Sequence, residues 1–299
     1  MKAKFTLLAI LAIAFFSAQA QTIPNNGFDT WTSPLNPNGW ATYASAFGFN
    51  FGLCAKDSLD KVVGPNSVRV YSDSVPGQPA YGVVAGLVST GTGSATGGGP
   101  SFAGTPFAFR PDTIFFAYKF VSPAVDTARM IITMTKNGAG VFTGGASTVG
   151  LYLDTLSQWG LVYVPITSLY SNGTITPDTL LLQFRSGNKK KTIGSILHVD
   201  EVFFSASAQP NGVNEIANNI EVSVFPNPAS NQLNITSTAN LEGHKVVVTD
   251  MNGKLVCIRP LGNNTTSIDL TDVASGTYIY RIADKAGRFV KQDRFAVVK

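Results

Sequence analysis

Acid–base, nucleophilic and metal chemistry draw on few residue types, and this chain is sparing with most of them. It holds two histidines, His198 and His244, and two cysteines, Cys54 and Cys257. His198 lies in Leu197-His-Val-Asp200, an alternating run that reads as strand, so its imidazole is a sheet residue before it is a catalyst. No Gly-x-Ser-x-Gly, His-Glu-x-x-His or Cys-x-x-Cys motif occurs. Glycoside cleavage would need only two carboxylates at a suitable separation. Ten acidic residues run from Asp29 to Glu201, and spacing sorts none of them into a pair. Most precede Ser or Thr or follow a turn residue, the setting of Asx turns at strand starts. The glycine-rich stretch Gly91-to-Gly99 lacks the Gly-Lys-Ser/Thr ending of a phosphate loop and reads as a flexible loop. Lys189-Lys190-Lys191 reads as a solvated turn tip.

Binding chemistry is better supplied. Sugar rings stack on exposed aromatic faces. Tyr43, Phe47, Phe49 and Phe51 alternate with small residues, which predicts an extended segment with these rings on one face. A wet face there would be a stacking platform, and a dry one would be core.

The elements that must position such groups are strands. Charged residues make up 13 % of the chain, too few for long solvated helices, while Gly (29) and Pro (16) are plentiful enough for many turns. An apolar fraction of 44 % supplies real cores. The length of 299 residues suggests about two domains. The formal charge is +4, two units of it from Lys2 and Lys4, which excludes a nucleic-acid footprint. Lys2 and Lys4, the apolar run to Phe16 and the Ala18-x-Ala20 pair read as a secretory signal peptide over residues 1–20. The run is too short to span a bilayer, and no later stretch is long enough, so no membrane span is predicted. With two cysteines in different segments, no disulfide framework is expected.

Strand patterns begin near Ser67, Thr113, Ala128, Leu161, Thr179 and Ser195, each bounded by Pro, Gly, Asn or Asp. They predict a two-sheet antiparallel jelly roll over 21–204. Residues 205–219 have linker composition. From 220 to 299, short alternating strands separated by turn signals such as Asn252-Gly253 predict a small immunoglobulin-like β-sandwich. The whole is therefore expected to be all-β.

Two resemblances add to this reading. Pro226-Asn227-Pro228, Asp250-Met-Asn-Gly253-Lys254, Gly276-Thr-Tyr278 and the Lys291-to-Lys299 ending resemble the type A sorting domain of the Bacteroidetes type IX secretion system. That resemblance implies passage through the periplasm and delivery to the medium or the outer cell surface by the type IX machinery. It also implies cleavage of the tail and release, or attachment to lipopolysaccharide. Asn26-Gly-Phe-Asp-Thr-Trp31, Pro37-Asn-Gly-Trp40, Pro111-to-Lys119 and Gly194-to-Phe203 resemble stations of Bacteroidetes carbohydrate-metabolism and carbohydrate-binding module domains. In that family Trp40 and Trp159 match positions that pack in the core. The acidic residues after the opening and on the last strand, here Asp29 and Asp200, share a structural calcium ion, which carboxylate oxygens suit. The sequence also repeats Asp-Ser/Thr-apolar, which resembles an O-glycosylation sequon of exported Bacteroidetes proteins. The acceptors would be Ser58, Ser74, Thr113, Thr127, Thr155 and Thr179.

The expectation is a secreted or surface-attached, non-catalytic protein with a glycan ligand. The alternatives are a glycan-processing enzyme built on two carboxylates, and a structural or adhesive surface protein.

Overall fold

The computed structural model describes residues 23–48, 51–96, 99–188, 191–205, 220–251, 255–262, 265–284 and 289–299. The expected leader, the linker beyond Ser205, Phe49, Lys189, Lys190, Gly253 and Lys254 lie outside these residues.

The first part of the chain is a jelly-roll sandwich of two antiparallel sheets. Its principal strands are β1 (Trp40–Thr42), β2 (Cys54–Asp57), β3 (Ser67–Tyr71), β4 (Leu87–Thr90), β5 (Thr113–Val121), β6 (Ala128–Lys136), β7 (Thr148–Leu153), β8 (Leu156–Pro165), β9 (Thr179–Arg185) and β10 (Ile196–Ser205). One sheet runs β7-β6-β9-β4-β1, and two-residue pieces on β6 and β9 bring it to seven strands. The other is five-stranded, β8-β5-β10-β3-β2. Alternation fixes which side chains meet between them. Met130, Ile132, Met134, Leu182 and Phe184 from one sheet face Ile114, Phe116, Phe120, Val68 and Val199 from the other, all buried in one core. Phe116 and Phe184 meet with ring centroids 5.1 Å apart.

The opening motif closes one end of this core. Phe28, in a left-handed conformation (φ +51°), is fully buried and lies 4.7 Å from the ring of Trp40. The Trp40 indole N–H donates to the Pro24 carbonyl at 2.8 Å. Trp40 is therefore core, as the resemblance implied. Trp159 is not: it stands half-buried on the outer face of the five-stranded sheet.

Two local readings are corrected. Tyr43–Phe47 is a helix rather than an extended segment. Thr42 and Ser45 form a reciprocal capping box, Gly48 ends the helix in the left-handed region, and Ala44 and Ala46 are good helix formers. Tyr43 and Phe47 still share a face, now because they stand four residues apart on a helix. The glycine-rich stretch is largely a hairpin, Thr92–Thr96 paired with Gly99–Ala103.

The second part is the small sandwich expected. A three-stranded sheet runs β11 (Val222–Phe225), β12 (Gln232–Ser237) and β15 (Thr265–Asp269). A four-stranded sheet runs β14 (Leu255–Pro260), β13 (Lys245–Asp250), β16 (Gly276–Ala283) and β17 (Phe289–Val297). Leu233, Ile235, Ile268, Val246, Val248, Tyr280 and Ile282 fill the space between them.

Candidate functional site

Three groups of polar side chains stand outside the cores, and they differ in whether their charges are answered.

The first is on the outer face of the five-stranded sheet. His198 on β10 places Nε2 3.2 Å from Asp57 Oδ2 and 3.9 Å from Asp60 Oδ2. Asp60 also pairs with Lys119 and accepts the Trp159 indole N–H at 2.8 Å. Arg69 lies 3.9 Å from Asp57. Each carboxylate here has a cation, so the cluster is internally neutralised. Burial of the imidazole, reinforced by the Lys119 charge, pushes the His198 pKa down to about 4, so it is neutral at physiological pH. It has no nucleophile to serve and reads as a sheet residue within a polar network.

The second group surrounds a bulge in β10. Pairing with β5 passes from Phe115↔Phe203 to Ala117↔Asp200, and Glu201 takes a left-handed conformation (φ +53°). Such bulges re-aim side chains. Asp200 turns to the loop before β3, accepting from the Val62 and Val63 N–H groups at 2.9 and 3.4 Å and from the Glu201 N–H at 2.9 Å. Glu201 instead points toward Asp29. Both are packed against Gly27, where a Cβ would stand 2.8 Å from Glu201 Oε1 and 3.4 Å from Asp29 Oδ2. Lys245, on β13 of the second sandwich, reaches across to place Nζ 2.6 Å from Glu201 Oε1. Glu201 Oε2 and Asp29 Oδ1 have no hydrogen-bond partner. Burial raises the pKa of Asp200, Glu201 and Asp29, and Lys245 opposes the rise in each. The expected Asp29–Asp200 pair is thus an Asp29–Glu201 pair with a lysine on it. Around the ion pair, Phe115, Leu161 and Phe203 pack against Val247, Ile258 and Ala283. The Arg281 guanidinium lies 5.9 Å from the Phe115 ring centroid.

The third group is on the outer face of the seven-stranded sheet. Register sets Tyr152, Arg129, Arg185 and Leu87 in one row across β7, β6, β9 and β4. The next row on the same face is Gly150, Ile131, Gln183, Ser89 and Ala41. Gln183 donates to Ser89 Oγ and accepts from Arg185, each at 3.3 Å. Tyr152 is 53 % exposed, with its ring centroid 5.5 Å from the Arg129 guanidinium carbon. Among the described residues neither arginine has a carboxylate within 4.0 Å. The Nε atoms of both are buried without a hydrogen-bond partner. An unmet buried donor costs about 1–3 kcal/mol. The Nε atoms of Arg69 and Arg110 are in the same condition.

Of the aromatic residues singled out in the sequence, Tyr43, Phe47 and Phe51 fall beside this face. Phe51 is 4 % exposed and cannot be a platform. It packs with Leu53 and Val75, and the half-buried Tyr43 and Phe47 lie against that cluster. Tyr43 is near enough to Arg185 for the guanidinium to oppose the rise that burial imposes on its phenol. The sequence reading missed Tyr152, Arg129, Arg185 and Lys245. The alternation of β6 and β9 marks both arginines as outward-facing, but only register makes them neighbours.

The Asp-Ser/Thr stations are strand-boundary turns. Asp57 accepts from the Leu59 and Asp60 N–H groups, and Asp126 accepts from the Thr127 and Thr192 N–H groups. Ser58, Ser74 and Thr155 are exposed, while Thr113, Thr127 and Thr179 are half-buried.

The tail motifs are structural joints. Asn227 Oδ1, between Pro226 and Pro228, accepts from the Ala296 N–H at 2.9 Å. Asp250 ends β13 and Gly276 opens β16. Tyr278 stacks on Phe295, centroids 5.7 Å apart, and donates to the Ala274 carbonyl at 2.8 Å. Lys299 Nζ donates to the carbonyls of Leu270 and Thr271 at 2.8 and 3.0 Å. Among the described residues no helix is long and apolar enough to cross a membrane.

Comparison with known proteins agrees for the tail: residues 223–294 match the family described as the secretion system C-terminal sorting domain. No curated protein matches the chain. Among solved structures, TmCBM61 in complex with β-1,4-galactotriose is 8 % identical, with 63 % of this chain and 100 % of that one covered and a TM-score of 0.35. A β-1,2-glucanase from Parabacteroides distasonis is 11 % identical, with 93 % of this chain and 37 % of that one covered and a TM-score of 0.34. A family 11 carbohydrate-binding module from Clostridium thermocellum, in complex with a β-1,3-1,4-mixed-linked tetrasaccharide, is 16 % identical, with 55 % and 87 % covered and a TM-score of 0.28.

The His198 network has a pH signature. Its pKa in the folded chain lies below the ordinary value of 6.5, so the unfolded chain binds the extra proton first. Stability from this group is complete above pH ~6.5 and declines as pH falls toward 4, by about 3 kcal/mol in all. Asp200 and Glu201, with raised values, act in the opposite direction. Comparing His198→Gln with the parent isolates the imidazole: the parent's melting temperature should fall more steeply between pH 6.5 and 4, and parallel curves would contradict this.

Proposed function

We propose that this chain is an exported, non-catalytic carbohydrate-binding protein. Its binding face is the outer side of the seven-stranded sheet, and the row Tyr152–Arg129–Arg185 carries the reading. An exposed ring beside guanidiniums that have no carboxylate partner among the described residues is a combination that suits a sugar: a flat apolar surface for the ring and cationic donors for its oxygens. Tyr43 borders this face, and the helix it opens positions it there. The full-length protein, titrated with a panel of soluble polysaccharides, should bind at least one, and Tyr152→Ala should weaken that binding about tenfold. Absence of binding to every polysaccharide would refute the reading and favour a structural or adhesive surface protein.

The two-carboxylate alternative is served poorly by the pairs present. Asp57 and Asp60 are neutralised by cations, and Asp200 and Glu201 are fully buried.

The tail supports export by the type IX machinery, through the periplasm to the medium or the outer surface, with lipopolysaccharide attachment as the surface-bound form. Deleting residues 220–299 should leave the protein in the periplasm. Surface delivery of the truncated chain would overturn this part.

We propose that Lys245, rather than calcium, neutralises the site beside Asp29 in the intact chain. The Asp200 oxygens are taken by backbone N–H groups, and the ammonium of Lys245 already sits on Glu201. We therefore assign the counter-charge to Lys245. A chelator should leave the melting temperature unchanged. Lys245→Met should lower it by an amount that shrinks on acidification, as Glu201 takes a proton instead; breaking a buried pair costs about 3–5 kcal/mol. A chelator-induced drop would restore the calcium reading.

A further inference from the structure

The guanidiniums of Arg129 and Arg185 hold more information than a hydrogen-bonding face requires. They stand directly opposite one another on adjacent antiparallel strands. Like charges so placed repel, and sheets ordinarily relieve this with an opposing carboxylate. Among the described residues, none is within ion-pair distance of either. The seat of Arg129 is built rather than incidental. Its guanidinium lies over Gly150, where any Cβ would fall 2.6 Å from one terminal nitrogen and 2.8 Å from Nε. The Tyr152 ring, on the same strand as Gly150, has its centroid 5.5 Å from the guanidinium carbon. Arg185 is steadied by Gln183, itself held by Ser89. Both Nε–H donors stay unmet.

Two arginines on directly paired positions of one sheet face, without an internal carboxylate and with Arg129 next to an exposed ring, match anions carried on sugar rings. We infer that the ligand is an acidic polysaccharide whose uronic-acid carboxylates are gripped by Arg129 and Arg185, with Tyr152 stacked on the sugar ring. This rests on the reading of the face as a carbohydrate-binding surface and gives that surface its ligand class. Neutral glucans or galactans would leave the paired positive charge unanswered. The rest of the molecule supplies little general attraction for polyanions, since 22 basic residues are offset by 18 acidic ones.

The test uses the full-length protein with polygalacturonate, the same polymer after reduction of its carboxyl groups to alcohols, a neutral β-1,4-galactan, and dextran sulfate as a control for bare charge. The expected result is binding to polygalacturonate that weakens at least tenfold on reduction and falls steeply as sodium chloride rises from 50 to 500 mM. Arg129→Gln and Arg185→Gln should each weaken it at least tenfold, with lysine at either position restoring only part. Loss of the Arg185–Gln183 hydrogen bond or the Arg129–Tyr152 contact lowers stability only, so binding is compared well below the melting temperature, where a purely structural arginine would leave the preference for the charged polymer unchanged. Preference for the neutral or reduced polymer, or arginine variants that bind like the parent, would overturn the acidic-ligand inference while leaving carbohydrate binding in place. Equal binding of dextran sulfate by parent and variants would also overturn it. No binding to any polymer would remove both.

Discussion

A strand inside a sandwich has no freedom over which side chains it shows to solvent. Met130 and Phe184 are buried against the opposite sheet, so Arg129 and Arg185, one position away on their strands, must face outward. A one-residue slip would drive both guanidiniums into the core and expose Met130 and Phe184. The same core that gives the domain its stability therefore fixes two like charges beside each other. This constraint underlies the proposed binding face.

The charges on the other sheet face and at the β10 bulge meet partners within the chain. On the five-stranded sheet Asp57 and Asp60 are matched by His198, Arg69, Lys119 and the Trp159 indole. At the β10 bulge the buried Glu201 is matched by Lys245 from the second sandwich. That ion pair and the apolar ring of Phe115, Leu161, Phe203, Val247, Ile258 and Ala283 join the sorting domain to the sandwich it accompanies. Asp57, Asp60 and Glu201 each have a basic group within ion-pair distance. Among the described residues Arg129 and Arg185 have no carboxylate within 4.0 Å, and they lie on the sheet face that the second sandwich's apolar contact does not use.

Much of the fold was legible because alternation is a local signal. The strands that became β5, β6, β9 and β10, and those of the small sandwich, stand close to where the sequence placed them. Short strands such as β1 and β4 were missed, since three or four residues carry too little pattern. The helix at Tyr43 was hidden by aromatics that look like strand, while the capping box at Thr42 and Ser45 that decides it is easily overlooked. The site was less legible, for a physical reason. Arg129 and Arg185 are far apart in sequence and become neighbours through register alone. Nothing in Asp200-Glu-Val202 announces a left-handed glutamate, so the exchange of Asp200 for Glu201 beside Asp29, and the lysine that answers it, could not be read ahead.

Hydrogen exchange of the intact chain, free and saturated with polysaccharide, tests the placement of the binding face most directly. The account predicts slowed exchange confined to β6, β7 and β9, around Arg129, Tyr152 and Arg185, with β5, β8 and β10 unchanged. Protection concentrated instead on β8 and β10, around Trp159 and His198, would contradict it.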